Sequence, residues 1–208
     1  MTLIGLSGFI GSGKDTVAAY LVENHGFISI SYASALKDIV STLFGWDRTK
    51  VEGTTKEDRQ WREEVDTWWE TKLDIQGFTP RVALQKIGTD VFRTHFHPSI
   101  WIAVIERKII NLRSQNPNCR IIVTDCRFIN EAELIHKLGG KVFRIVRDSP
   151  KEYNTMMNAC LGDEEAIKEC KQKGIHPSEY NILSFTCNGV IQNDGSLDDL
   201  YAKIDALF

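Results

Sequence analysis

The residues Gly8-Phe9-Ile10-Gly11-Ser12-Gly13-Lys14-Asp15-Thr16 place three glycines, a lysine and a hydroxyl in one short run. That spacing suits the binding of phosphate. Glycines let successive backbone N–H groups point at one anion, and a helix starting near Lys14 adds its positive end. Gly11, Ser12, Gly13, Lys14, Asp15 and Thr16 are therefore candidates for holding a nucleotide's phosphates, with Lys14 supplying a full charge. Asp15 stands where the general motif has a hydroxyl, and the hydroxyl comes one residue later at Thr16. Thr16 can then serve either as a magnesium ligand or as a phosphate contact.

A second cluster, Asp125-Cys126-Arg127, follows the apolar run Ile121-Ile122-Val123. Ligands of open α/β sheets gather at the carboxyl ends of the strands. Asp125 is thus a candidate for hydrated magnesium, or else a carboxylate for the start of a helix near Asn130. Two phosphate-bearing reactants in one cleft repel by ~4 kcal/mol per close charge pair at an effective dielectric of 20, so transfer between them demands fixed cations. Outside the loop the candidates are Lys37, Arg81, Arg127 and Arg147. No general base is needed for a phosphate acceptor, whose second pKa of ~6 leaves it largely dianionic at neutral pH. Five histidines without an evident nucleophile partner agree with that, and His95 and His97 read as structural.

These groups need a scaffold. Apolar runs and helical patterns alternate, the signature of a parallel sheet covered by helices on both faces. Strands are expected at 2–7, 27–31, 120–124, 141–146 and 189–192. Helices are expected at 14–24, 34–44, 56–70, 80–93, 99–114, 130–138 and 197–207. Two segments interrupt the rhythm. The first, 32–98, is helical and carries Trp61, Val65, Trp68 and Trp69 at helical spacing, a stripe expected to be mostly core. The second, 148–180, is polar and reads as a surface flap, either a mobile lid or a solvated helical excursion. A length of 208 residues fits one domain, 1–208, with these two insertions.

Bulk composition excludes several classes. A net charge of -3 gives no field to attract nucleic acid. Five cysteines without a CxxC pair argue against a disulfide framework or a zinc site and for a reducing cytoplasm. No apolar stretch reaches the ~18 residues of a membrane span, and the start of the chain lacks a secretory pattern.

The Gly-Lys-Asp-Thr ending of the loop resembles that of the deoxynucleoside monophosphate kinases of tailed bacteriophages. Lys37-Asp38, Leu84-Gln85-Lys86-Ile87-Gly88-Thr89-Asp90 with Trp101, Thr124-Asp125-Cys126-Arg127 with Glu131, Ser178-Glu179, and Asn193-Asp194-Gly195-Ser196-Leu197 are similar to further blocks of that family. The resemblance implies a five-stranded P-loop nucleoside monophosphate kinase fold with a helical acceptor-binding insertion and a lid-like insertion. It implies ATP and Mg2+, a nucleoside monophosphate acceptor, and transfer through Lys14, Asp125 and Arg127. By the same resemblance Lys37, Arg81, Gln85, Thr89, Trp101 and Arg127 are acceptor-site candidates, and Gly195 lies near the adenine. Trp61, Trp68 and Trp69 match no block, so base preference does not transfer, and homodimer formation stays open. Phosphomevalonate and dephospho-coenzyme A kinases are the nearest alternatives. A GTPase-type switch would need an Asn-Lys-x-Asp element, which the sequence lacks, and a non-catalytic module would not need Lys14, Asp125 and Arg127 together.

Overall fold

A computed structural model describes residues 2–207. In chain order the elements are β1 (Thr2–Ser7), α1 (Lys14–His25), β2 (Phe27–Ile30), α2 (Ala33–Phe44), α3 (Arg48–Glu52), α4 (Lys56–Trp61), α5 (Thr67–Leu73) and α6 (Pro80–Gln85). A π-helical segment (Lys86–Phe96) follows, then α7 (Ile100–Gln115), β3 (Arg120–Val123), α8 (Ile129–Lys137), β4 (Lys141–Val146), α9 (Tyr153–Cys160), α10 (Glu164–Gln172), α11 (Pro177–Tyr180), a 3-10 turn (Asn181–Leu183), β5 (Gly189–Gln192) and α12 (Leu197–Asp205). The chain divides into two compact units, Met1–Ser31 with Glu106–Phe208, and Tyr32–Ile105.

The first unit holds a five-stranded sheet in the order β2-β3-β1-β4-β5. Every pairing is parallel. Because side chains alternate along a strand, β1 sends its residues to opposite layers. Ile4 and Leu6 pack with Val17 and Leu21 of α1 and Leu200 and Ile204 of α12. On the other side, a Cβ on Gly5 would meet Cys126, Val142 and Ile135 of α8. The continuous apolar runs of β1 and β3 are what a sheet buried on both faces requires. Since β1 leads to β2 across β3, the strand order reverses beside β1, where ligands of such sheets bind.

The insertion 148–180, read from its polarity as a surface flap, is helical and carries a core of its own. Met156, Ala159, Ala166, Cys170 and Tyr180 form a buried cluster of their own, and Phe9 of the glycine-rich loop packs against it. The Phe9 and Tyr153 rings meet edge to face at 6.1 Å.

In the second unit the helix expected over 56–70 is two. The Thr55 hydroxyl accepts from the Asp58 N–H at 3.1 Å, and the Thr55 N–H donates to the Asp58 carboxylate at 3.2 Å in return. Asp66 then starts α5 by accepting from the Trp69 N–H at 3.1 Å, while its second oxygen takes the Trp46 indole N–H at 2.8 Å. A second N-cap inside the apolar periodicity breaks the helix. The tryptophan stripe is consequently split and is not core: Trp68 is 57% and Val65 44% exposed. The helix expected over 80–93 is α-helical only through Gln85 and continues as a π-helix to Phe96. There the Gly88 carbonyl accepts the Trp101 indole N–H at 3.0 Å, and Gly88 itself is pressed against Leu36. Helix α3, capped by Asp47 through the Thr49 N–H at 2.7 Å, has no counterpart in the sequence expectations.

Candidate active site

The loop between β1 and α1 takes its shape from Gly8, Gly11 and Gly13, whose φ angles are 144°, 78° and 99°. Gly13 is fixed by space as well as by φ, because a Cβ there would collide with the Asn193 amide. That amide is buried and donates to the Ser12 carbonyl at 2.8 Å. Asn193 in turn hangs from β4, its backbone N–H donating to the Val146 carbonyl at 2.7 Å. The segment after β5 therefore fastens the loop's inner turn.

Lys14, first residue of α1, bends its ammonium back into the loop and donates to the carbonyls of Gly8 at 2.9 Å and Phe9 at 2.8 Å. Its pKa falls to about 8 from the ordinary 10.5. Burial is the main cause and the nearby Arg127 guanidinium adds to it, while Asp15 and Asp125 act in the opposite direction. Lys14, Asp125 and Arg127 are thus close enough for their charges to interact, and Lys14 and Arg127 line one cavity of about 140 Å³ with Phe9, Met156, Ser178 and Glu179.

Asp125 and Arg127 follow β3 because that strand stops at Val123. Glu131, 1% exposed, accepts from the backbone N–H of Arg127 at 2.7 Å and of Phe128 at 3.2 Å. The carboxylate at the start of α8, for which Asp125 was one candidate, is thus Glu131. Arg127 reaches the Ser178 hydroxyl at 3.4 Å, and that hydroxyl lies 2.9 Å from Nδ1 of His176, the cap of α11. Cys126 between them is fully buried, and burial together with Glu131 and Asp125 pushes its thiol well above the ordinary range. It is a packing residue, not a nucleophile.

Thr16 is half-buried in the first turn of α1 and Asp15 is exposed. Arg147 is exposed just past β4, and Gly195 is exposed before α12 beside Asp199. Neither lines the cavity. A nucleotide fits this loop on two observations, the run of positive-φ glycines and the lysine already seated on its carbonyls. For magnesium, the hard oxygens of Asp125 and Thr16 are suitable donors. Among the described residues no three acidic, thiol or imidazole groups converge as a metal cage. A cation carried by the triphosphate itself needs no more than one or two protein oxygens.

The remaining candidates lie in the second unit. Lys37 on α2 donates to the Glu52 carbonyl at 3.2 Å and pairs with the Glu52 carboxylate, which Arg48 also holds. Arg81, in the first turn of α6, pairs with Glu63. Gln85 ends α6, Thr89 lies in the π-helical segment, and Trp101 is buried with its N–H on Gly88 and its ring 5.1 Å from Phe92. Reading the sequence missed Asn193 and Phe9 as loop supports, although both stand in blocks already singled out.

A family model for deoxynucleotide monophosphate kinase matches residues 63–204. The chain is 31% identical to a candidate deoxynucleotide monophosphate kinase of Acanthamoeba polyphaga mimivirus, covering 98% of this chain and 94% of that protein. It is 24% identical to the deoxynucleotide monophosphate kinase of Escherichia phage RB69, covering 100% and 99%. It is also 26% identical to the dephospho-CoA kinase of Fusobacterium nucleatum, covering 98% and 95%.

Proposed function

The chain belongs to the deoxynucleotide monophosphate kinase family, and on that premise we propose that it moves the γ-phosphoryl group of ATP, with Mg2+, onto a deoxynucleoside 5′-monophosphate to give the diphosphate and ADP. The observation that carries this reading is Lys14 seated in a glycine-rich loop within charge range of Asp125 and Arg127. Phosphoryl transfer asks the protein chiefly to position reactants and to stabilise charge. Lys14 would exchange the Gly8 and Phe9 carbonyls for phosphate oxygens and follow the charge that develops on the transferred group. Arg127, steadied by Ser178, would bridge phosphate oxygens with its planar fork. Asp125, with Thr16, would hold the magnesium or its water, and the metal supplies neutralising charge on the phosphates. Gly11, Ser12, Gly13 and Asp15 would bind the triphosphate, with Arg147 and Gly195 toward the rest of the nucleotide. Lys37, Arg81, Gln85, Thr89 and Trp101 would serve the acceptor. Trp101 does so by setting the backbone at Gly88, since its own N–H is committed there.

The test is an ADP-release assay with ATP and Mg2+ across the deoxy and ribo monophosphates and dephospho-coenzyme A. Turnover of one or more deoxynucleotides is expected. Turnover of dephospho-coenzyme A alone would overturn the reading in favour of the other kinase activity among the relatives.

A further inference from the structure

Among the described residues of 32–105, one arginine has a buried side-chain nitrogen without a hydrogen-bond partner. Lys37 and Arg48 share Glu52, and Arg81 pairs with Glu63. Arg59 donates to the carbonyls of Gly53 at 3.0 Å and Thr54 at 3.1 Å. Arg62, at the end of α4, has no ion pair among the described residues, and its Nε is buried without a hydrogen-bond partner. Its guanidinium lies flat against Gly53, so close that a Cβ at that position would overlap it. Gly53 also has φ 71°, a backbone conformation that favours glycine. Arg81 is tied to the same corner, its backbone N–H donating to the Arg62 carbonyl at 2.9 Å.

A partly desolvated guanidinium without a counter-ion is an unfavourable arrangement in the protein alone. Here it is worsened by like charge, since Arg81 and Arg59 both bear on Arg62 and depress its affinity for its proton, after burial as the main cause. The nearby carboxylates, Glu52 and Glu63, are already engaged by Lys37, Arg48 and Arg81. What relieves such a cluster is an anion with several acceptor oxygens and more than one negative charge. A phosphate monoester has both, and a planar guanidinium matches two of its oxygens at once.

We propose that Arg62, held over Gly53 and flanked by Arg81, is a substrate-binding residue that receives the 5′-phosphate of the acceptor monophosphate. This rests on the kinase reading above and adds to it a residue that the sequence does not mark. Glu63 would then keep Arg81 in place on Nε and leave the remaining nitrogens of Arg81 for the same phosphate.

The experiment uses the full chain and the variants Arg62→Gln and Arg62→Lys. Steady-state kinetics with the acceptor varied should show KM for the deoxynucleotide raised roughly 10- to 100-fold in Arg62→Gln, the size of a lost charge-assisted contact. KM for ATP should not change, and Arg62→Lys should recover only part of the loss. The melting temperature of ligand-free Arg62→Gln should equal or exceed that of the wild type, because a repelled charge has been removed. A residue that merely packs over Gly53 would instead lower the melting temperature and leave the acceptor KM unchanged, which would overturn the proposal. So would a rise in the KM for ATP alone. If Arg62→Gln does not fold, the same split between the two KM values in Arg62→Lys decides. Calorimetry with inorganic phosphate and with an unphosphorylated deoxynucleoside separates the site from the activity. Phosphate binding that is weaker in Arg62→Gln, with nucleoside binding unchanged, supports the site even if no deoxynucleotide is turned over, an outcome that would sink only the kinase reading. Equal phosphate binding in the two proteins overturns the site.

Discussion

Lys14 of the glycine-rich loop and Arg62 of the unit Tyr32–Ile105 are cations held in opposite ways. In the loop, Lys14 is satisfied by the carbonyls of its own turn, and Asn193 braces that turn from behind. In the insertion, Arg62 is packed but unpaired, with further arginines around it. A group satisfied in the free protein must give up contacts to bind, so its gain has to come in the transition state. One left unsatisfied gains as soon as the ligand arrives. The difference teaches that Lys14 should govern turnover and Arg62 acceptor affinity.

The strongest attempt to break that contrast is Lys14→Ala. Turnover should fall on the order of a thousandfold or more, with the circular dichroism spectrum retained. A folded variant with near-normal kcat removes Lys14 from the chemistry. Next in size is Arg127→Ala, expected to lose about 2–4 kcal/mol of transition-state stabilisation in kcat/KM. Arg127→Lys should recover little of it, since an ammonium lacks the fork. If Arg127→Ala changes only the acceptor KM, Arg127 groups with Arg62 and the contrast is drawn in the wrong place.

A smaller effect is expected for Asn193→Ala. Losing the amide leaves the Ser12 carbonyl without its buried donor, at a cost of about 1–3 kcal/mol, which for a chain of this size lowers the melting temperature by roughly 2–4 °C per kcal/mol. KM for ATP should rise while kcat holds, and an unchanged KM would show that the loop keeps its shape without the brace.

The gentlest probe is pH. With Lys14 at about 8 in the fold against an ordinary 10.5, the unfolded chain binds more protons between those values. The Lys14 contribution to the stability of the ligand-free protein therefore rises with pH across that window, while Cys126, Cys160, Cys170 and Cys187, whose thiols burial pushes up, act in the opposite direction. Bound phosphates favour the charged ammonium, so binding takes up a proton there and ATP affinity should drop, by up to about tenfold per unit above pH 8. The difference between the wild-type and Lys14→Met profiles from pH 8 to 10 should carry this rise in stability and this drop in ATP affinity. Parallel profiles in the two proteins would place the Lys14 titration elsewhere.

The sheet was legible because β1 and β3 are near-continuous apolar runs and the other strands are short apolar-rich stretches between helical patterns, so both layers and the glycine-rich turn leave a mark in a single sequence. Thr2–Ser7, Lys141–Val146 and Gly189–Gln192 stand where expected, and the other two strands end one residue early. The insertions were harder, for a physical reason. Periodicity reports which residues want burial but not where a side chain intercepts the backbone. Asp66 does so at Trp69, which divides the helix expected over 56–70 and brings Trp68 to the surface. Trp101 takes the Gly88 carbonyl, near the start of the π-helical segment. The polarity of 148–180 hid a small core because its five buried residues are scattered over three helices. Among the candidate site residues, Lys14 and Asp125 were legible as candidates from their motifs. Arg62 was not, because an unpaired cation is defined by the absence of neighbours that only folding assigns.

Phe9 ties the fate of that small core to the loop. The side chain belongs to the cluster of α9, α10 and α11, yet its carbonyl holds Lys14 and its backbone lies between Gly8 and Ile10. Segments more than 140 residues apart in sequence thus share one hydrophobic contact set, so local unfolding of either exposes apolar surface in both. The two are then a single cooperative unit, and the order of the loop is inherited in part from helices that contribute no backbone to it.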